Sequence, residues 1–172
     1  MNPTVETTGN DTPPEVLAQR KEAADRLIRQ YVVGASGAGF IYSPLINALA
    51  VAAMEVNMIT DMAHIYDFPV PHKLIVYKVL ISLAFSIAPV YFSTQAFALA
   101  SGFTLVGYAA QVLLMGSTGG VSVYAVGKVF QEHYESGGTF LSSNNSILRK
   151  YFKDRFAEGK KVVPGYFSPE SA

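Results

Sequence analysis

The chain has 172 residues, half of them hydrophobic, which is room for one domain and too little for two comfortable ones. Thirteen basic residues balance thirteen acidic ones, so the charge excludes a nucleic-acid-binding role, which requires a basic excess on one face. The absence of cysteine excludes disulfides, thiolate metal sites and a cysteine nucleophile.

Residues 1–11 are polar and acidic, carrying Glu6 and Asp11 where a secretory leader needs positive charge and then an apolar run, and they read as a disordered tail. One helical domain is expected over 12–161 and a second tail over 162–172. Thr12, Pro13, Pro14 and Glu15 form a helix start: a capping residue, proline in the first turn, and glutamate three residues after the cap. Val16, Ala23, Ala24, Leu27, Ile28, Tyr31 and Val32 fall at helical spacing, and charged residues take the remaining positions. The spacing predicts an amphipathic first helix ending near Gly34, Gly37 and Gly39.

Ser43 and Pro44 open a second helix that runs to about Tyr66 and stops at Asp67-Phe-Pro-Val-Pro. Its first half is apolar, while Glu55, Asn57, Asp61 and His64 make its second half a poor membrane span. It is expected to start in an apolar environment and emerge from it. Met54, Met58 and Met62 repeat every four residues, a stripe suited to packing inside the monomer.

A third helix begins at Pro71 to Lys73, with Pro89 as a kink or a stop. From Val79 to Gly127 no Asp, Glu, Lys, Arg or His occurs, and a bilayer span takes about 20 mainly apolar residues. The expectation is a membrane hairpin: a turn at Ser101 and Gly102, a return helix from Phe103 to Met115, and a glycine-rich loop at Gly116 to Gly120. Small residues at Ala98 and Gly102 permit close helix approach in lipid. A last long helix is predicted from Val121 to Glu135, stopped by Gly137 and Gly138, and a short amphipathic one from Ser146 to Glu158. The fold class is therefore all-α: a helical membrane protein with an apolar hairpin and amphipathic helices at both ends.

Arg20, Lys21, Arg26 and Arg29 precede the apolar region, and Arg149, Lys150, Lys153, Arg155, Lys160 and Lys161 follow it. Because basic residues stay on the cytoplasmic side, both termini are expected there, with two crossings of a bacterial inner or intracytoplasmic membrane. Apart from Arg155 these residues are also the candidates for lipid head-group contact, at about 1 kcal/mol each.

The run Tyr124-Ala-Val-Gly-Lys-Val-Phe-Gln-Glu-His-Tyr-Glu-Ser-Gly-Gly-Thr-Phe-Leu141 resembles the signature of the bacterial family called domain of unknown function 697. The Ser43-Pro-Leu-Ile-Asn helix start, the linker Tyr66-Asp-Phe-Pro-Val-Pro and the ending Phe156-Ala-Glu-Gly-Lys-Lys resemble other parts of that family, so the likeness covers roughly Arg20 to Lys161. Members stand alone, follow Era-like small GTPase domains, or occur in YcjF-like inner-membrane proteins. The resemblance implies a membrane module serving a nucleotide-driven partner. This chain carries no phosphate-loop lysine motif, so a GTPase would be a separate protein.

Lys128, Glu132, His133, Glu135, Gly137 and Gly138 are then the signature residues, available either to a partner or to the fold. His133 with Glu132 and Glu135 forms a conceivable acid–base group, set against a plain solvated helix end. Glu55, Asp61 and His64 outline a carboxylate–imidazole metal site, set against a wet helix face or internal hydrogen bonds. No cofactor is expected. The leading expectation is a non-enzymatic membrane scaffold or accessory subunit that self-associates and recruits a soluble partner. A pore lined by Gln95 and Gln111, a metal-dependent enzyme, and a soluble bundle with an apolar core are the alternatives.

Overall fold

The computed structural model describes residues 13–38, 43–84, 93, 105–142 and 144–168, with side chains placed except at 44–45 and 105–115. The expected tail over 1–11, Thr12, Pro89, the turn at Ser101 and Gly102, and Gln95 lie outside the described residues, as does the side chain of Gln111. Five helices make up the described fold: α1 (Pro14–Gly37), α2 (Pro44–Ile65), α3 (73–84), α4 (Leu105–Glu135) and α5 (Asn145–Val162). Short 3-10 helices occupy Phe140–Ser142 and Val163–Phe167. The described fold is all-α.

The second half of α4 is the axis. Val121, Val123, Tyr124, Ala125, Val126, Val129, Phe130 and Tyr134 are buried, and a helix apolar on all sides needs neighbours all round it. α1 and α2 pack on α4 and on each other, α5 takes another side of α4, and Val163–Phe167 closes back between α4 and α1. α1 supplies Ala24, Ile28, Val32 and Ala35, and α5 supplies Leu148, Phe152, Phe156 and Gly159, each set a turn apart on one face. Both terminal helices are thus amphipathic, and their apolar faces are covered by the fold. The packed region extends beyond residue 161, because Val163 is buried in the core and Tyr166 packs against it.

Gly116 to Gly120 is not a loop. α4 passes through it without a break, because the glycines are a contact surface. A β-carbon on Gly119 would stand 3.2 Å from Val51 Cγ2 and 3.3 Å from the Ala35 carbonyl oxygen, and one on Gly120 would collide with Ser36 Oγ. Gly127, two turns later, meets Ile28 in the same way. Small residues along this side of α4 let α1 approach closely, and part of the charge-free stretch is thereby accounted for by a dry protein interior.

The expectation for α2 is also reversed in one respect. Its polar second half lies deepest, with Glu55, Met58, Ile59, Met62 and Ala63 buried, whereas Ile46 and Leu49 in its apolar first half are exposed. Met58 and Met62 are fully buried within the monomer, as their spacing suggested. Among the described residues, no helix is long and apolar enough to cross a membrane.

Candidate functional site

The signature end of α4 is built by a helix stop. Gly138 N donates to the His133 carbonyl at 2.8 Å and Gly137 N to the Tyr134 carbonyl at 3.1 Å, the paired bonds of a left-handed C-terminal cap. Both glycines have positive φ, 67° and 83°. The stop of α2 has the same design: Phe68 N donates to the Ala63 carbonyl at 2.8 Å, Asp67 N to the His64 carbonyl at 3.3 Å, and Asp67 takes φ 53°. The two stops are packed together, Phe68 lying against Tyr134 with ring centroids 5.2 Å apart and against His133 at 5.9 Å.

Each charged signature residue joins two elements. Lys128 Nζ lies 2.6 Å from Asp25 Oδ1 on α1 and donates to Gln131 Oε1 at 3.0 Å. Glu132 accepts from the Tyr151 hydroxyl of α5 at 3.3 Å, and Glu135 accepts from the Tyr66 hydroxyl at 2.8 Å. His133 Nδ1 accepts from Leu141 N at 3.3 Å, which requires the neutral ring; half-burial favours the same state by lowering its pKa. Burial and the neighbouring carboxylate together push the Tyr151 hydroxyl up to about 12, so it donates at any ordinary pH. His133, Glu132 and Glu135 therefore face three different partners.

The residues considered for a metal do not meet. Glu55 is buried and accepts from Ser122 Oγ of α4 at 2.9 Å, Asp61 accepts from the Tyr31 hydroxyl of α1 at 2.7 Å, and His64 is exposed. Among the described residues, no three His, Asp or Glu side chains are grouped to hold a metal ion. Burial in the apolar core pushes the Glu55 carboxyl up to about 7, against a smaller opposite effect of the Ser122 hydrogen bond.

The basic residues divide. Arg20 is turned inward, donating from Nη1 to the Tyr66 carbonyl at 3.0 Å and pairing with Asp67, so it covers the C-terminus of α2 instead of facing outward. Arg29 stacks over Tyr166 at 5.6 Å and Lys160 over Phe156 at 5.3 Å. Arg26 pairs with Glu22 and Lys150 with Asp154 along their own helices. Lys21, Arg149, Lys153 and Lys161 are exposed.

Sequence reading missed Asn47, whose Nδ2 donates to the Ala38 carbonyl at 2.6 Å and so holds the end of α1 to the start of α2. It also missed Ser122. Both are single polar residues inside apolar runs, which is the signal that could have found them.

These features define an all-α protein in which a central helix is clasped by two amphipathic helices and by a second helix whose stop is locked to its own. A model of the family described as "Domain of unknown function (DUF697)" matches residues 6–161, and the chain belongs to that family. It is 31% identical over 159 residues to magnetosome membrane protein 22 of Magnetospirillum gryphiswaldense, an alignment covering 91% of this chain and 80% of that protein. No solved structure matches.

Proposed function

We propose that this protein is a non-enzymatic accessory or scaffold subunit of a bacterial inner or intracytoplasmic membrane, held there by the uncharged segment and presenting its helical bundle to the cytoplasm. The observation that carries the reading is the likeness to a protein named for the magnetosome membrane, which runs along nearly the whole chain. The uncharged run from Val79 to Gly127 supports the anchor, since its middle would suit acyl chains while its last part is core. Basic residues before and after that run support two crossings with both termini in the cytoplasm.

A structural role for the signature is supported by its geometry, because Lys128, Glu132, His133 and Glu135 each bind a group on another part of the fold. The surface left for a soluble partner is then the exposed turn at Ser136, Gly137 and Thr139 with the outer face of α5. The partner suggested by the family resemblance is a separate small GTPase. Ile46 and Leu49, exposed on α2, support self-association.

The test is fractionation of the tagged full chain, followed by affinity capture from detergent extract. The chain should remain in the carbonate-washed membrane pellet and recover both a second, differently tagged copy and a GTPase. Release by carbonate would overturn the membrane assignment. Capture of neither copy nor partner would overturn the scaffold role.

A further inference from the structure

α3 is apolar on two opposite sides, and the protein covers one of them. Val76, Leu80 and Leu83 are buried in the core, spaced four and three residues apart. On the other side Leu74, Tyr77, Lys78 and Ile81 share a face at helical spacing. Leu74 is 65% exposed, Ile81 57%, and Ile75 at the flank 58%, which for a run of aliphatic side chains within two turns is a surface built for contact. Lys73 and Lys78 are exposed among them. His72 fixes the start of the helix, its carbonyl accepting from Ile75 N at 2.8 Å and its Nδ1 from Leu74 N at 3.3 Å.

Charge decides what covers this face. Between Asp67 and Glu132 the chain has no acidic residue, while Lys73 and Lys78 stand at the exposed end of α3. A second copy laid on the same face would bring lysine against lysine with no carboxylate from α3 to offset them. Anionic phosphates over an acyl layer match both features, with the aliphatic groups below and the lysine stems reaching up to the phosphates. Tyrosine suits the same boundary, having an apolar ring and a wet hydroxyl. α5 differs, because its apolar side chains Leu148, Phe152 and Phe156 are buried against the fold, and Lys150 and Arg155 are paired with Asp154 and Glu158 of the same helix.

We propose that the outer face of α3, Leu74, Ile75, Tyr77 and Ile81 with Lys73 and Lys78, lies in the membrane–water boundary and binds anionic phospholipid. This rests on the membrane-associated reading above and adds to it the surface by which the folded bundle is seated on the bilayer.

The chain has no tryptophan and no cysteine, so single reporters can be placed in the full-length protein. Tyr77→Trp, Phe97→Trp within the uncharged segment, and Phe167→Trp on the exposed C-terminal 3-10 helix are each reconstituted into phosphatidylcholine vesicles. The vesicles are prepared with and without phosphatidylglycerol, and carry bromine at shallow or deep acyl positions. Y77W should show blue-shifted emission and lose intensity to shallow bromine, more so with phosphatidylglycerol, while F167W emits as in water. Lys73→Glu with Lys78→Glu should remove the dependence on phosphatidylglycerol. Water-like, unquenched emission from Y77W alongside a quenched F97W overturns the seating of α3 and leaves the membrane reading standing. If F97W is also unquenched, the membrane reading itself has failed. Quantitative disulfide cross-linking of Tyr77→Cys between two copies in the membrane likewise overturns the proposal, by showing that protein covers the face.

Discussion

Gly127 of α4 faces Ile28 of α1 so closely that a β-carbon at Gly127 would stand 2.7 Å from Ile28 Cγ1. Ile28 is buried and β-branched, so it has no easy rotamer by which to retreat. Gly127→Ala gains about 1 kcal/mol of helix propensity, but must separate α1 from α4, and overpacking of this kind costs about 1–3 kcal/mol. The net expectation is a loss in denaturant midpoint. The check is a double-mutant cycle with Ile28→Ala: if the contact is the cause, the two substitutions together cost less than the sum of each alone.

Gly138 carries a second close approach. At φ 83° it occupies a conformation that L side chains rarely adopt, and a β-carbon there would collide with Cζ of Phe68. Gly137, at φ 67°, has the left-handed geometry as well. Alanine in a left-handed position costs about 1–2 kcal/mol. Gly137→Ala should therefore lower stability by roughly that amount, and Gly138→Ala by more, since it also displaces the ring that locks the α2 stop to the α4 stop. Thermal melts of the two variants in the same detergent rank them; equal losses would mean that Phe68 gives way freely.

What could be read from the sequence was mostly local. The starts at Pro14 and Pro44, the stops at Asp67 and Gly137, and the apolar stripes of α1 and α5 follow from residue type and spacing alone, and the fold has them within a few residues. The glycine run from Gly116 to Gly120 was misread because in isolation it has the composition of a loop. Only the approach of Val32, Ala35 and Ser36 from α1, more than eighty positions away, makes small residues in a helix the better solution there. Glu55 was left between a wet helix face and an internal hydrogen bond, and the fold takes the second. A carboxylate on an amphipathic pattern suggests water, and its partner Ser122 lies on another helix, where nothing local connects the two. The signature was recognisable as a pattern, but its uses, Lys128 to Asp25 and Glu135 to Tyr66, depend on the tertiary fold.

Arg20 and Asp67 give a test of how the α2 stop is held. Arg20 serves the end of the helix with its Nη1 and the Asp67 carboxylate with its Nη2, and its side chain is only partly exposed. Arg20→Ala removes both at once and should lower stability by about 1 kcal/mol. Asp67→Gly loses only the exposed carboxylate, an ion pair worth about 0–1 kcal/mol, and relieves a positive-φ cost of about the same size. It should be close to neutral. Denaturant titration of both variants checks the asymmetry; a larger loss for D67G than for R20A would show that the ion pair, and not the covered carbonyl, holds the junction.

Glu55 should make the stability of the bundle depend on pH in an unusual direction for a carboxylate. Its folded pKa is raised to about 7 from an ordinary 4.5, because the charged form is disfavoured by burial between α2 and α4. Between those values the folded state holds a proton that the unfolded state has released. The stabilising contribution is therefore complete below pH 4.5 and declines as pH rises, until it is lost above 7. The full span corresponds to about 3 kcal/mol. Glu55→Gln keeps the shape and a hydrogen-bonding partner for Ser122 without the titration. At pH 5 the variant should melt close to the parent, and at pH 8 it should be the more stable of the two. His133 acts in the opposite sense: its lowered pKa favours the fold at higher pH, and that contribution falls away as the solution becomes acid. It is common to both proteins and cancels in the difference between them. A parent-minus-variant difference that stays flat from pH 5 to pH 8 would mean that Glu55 does not take up its proton in the folded state.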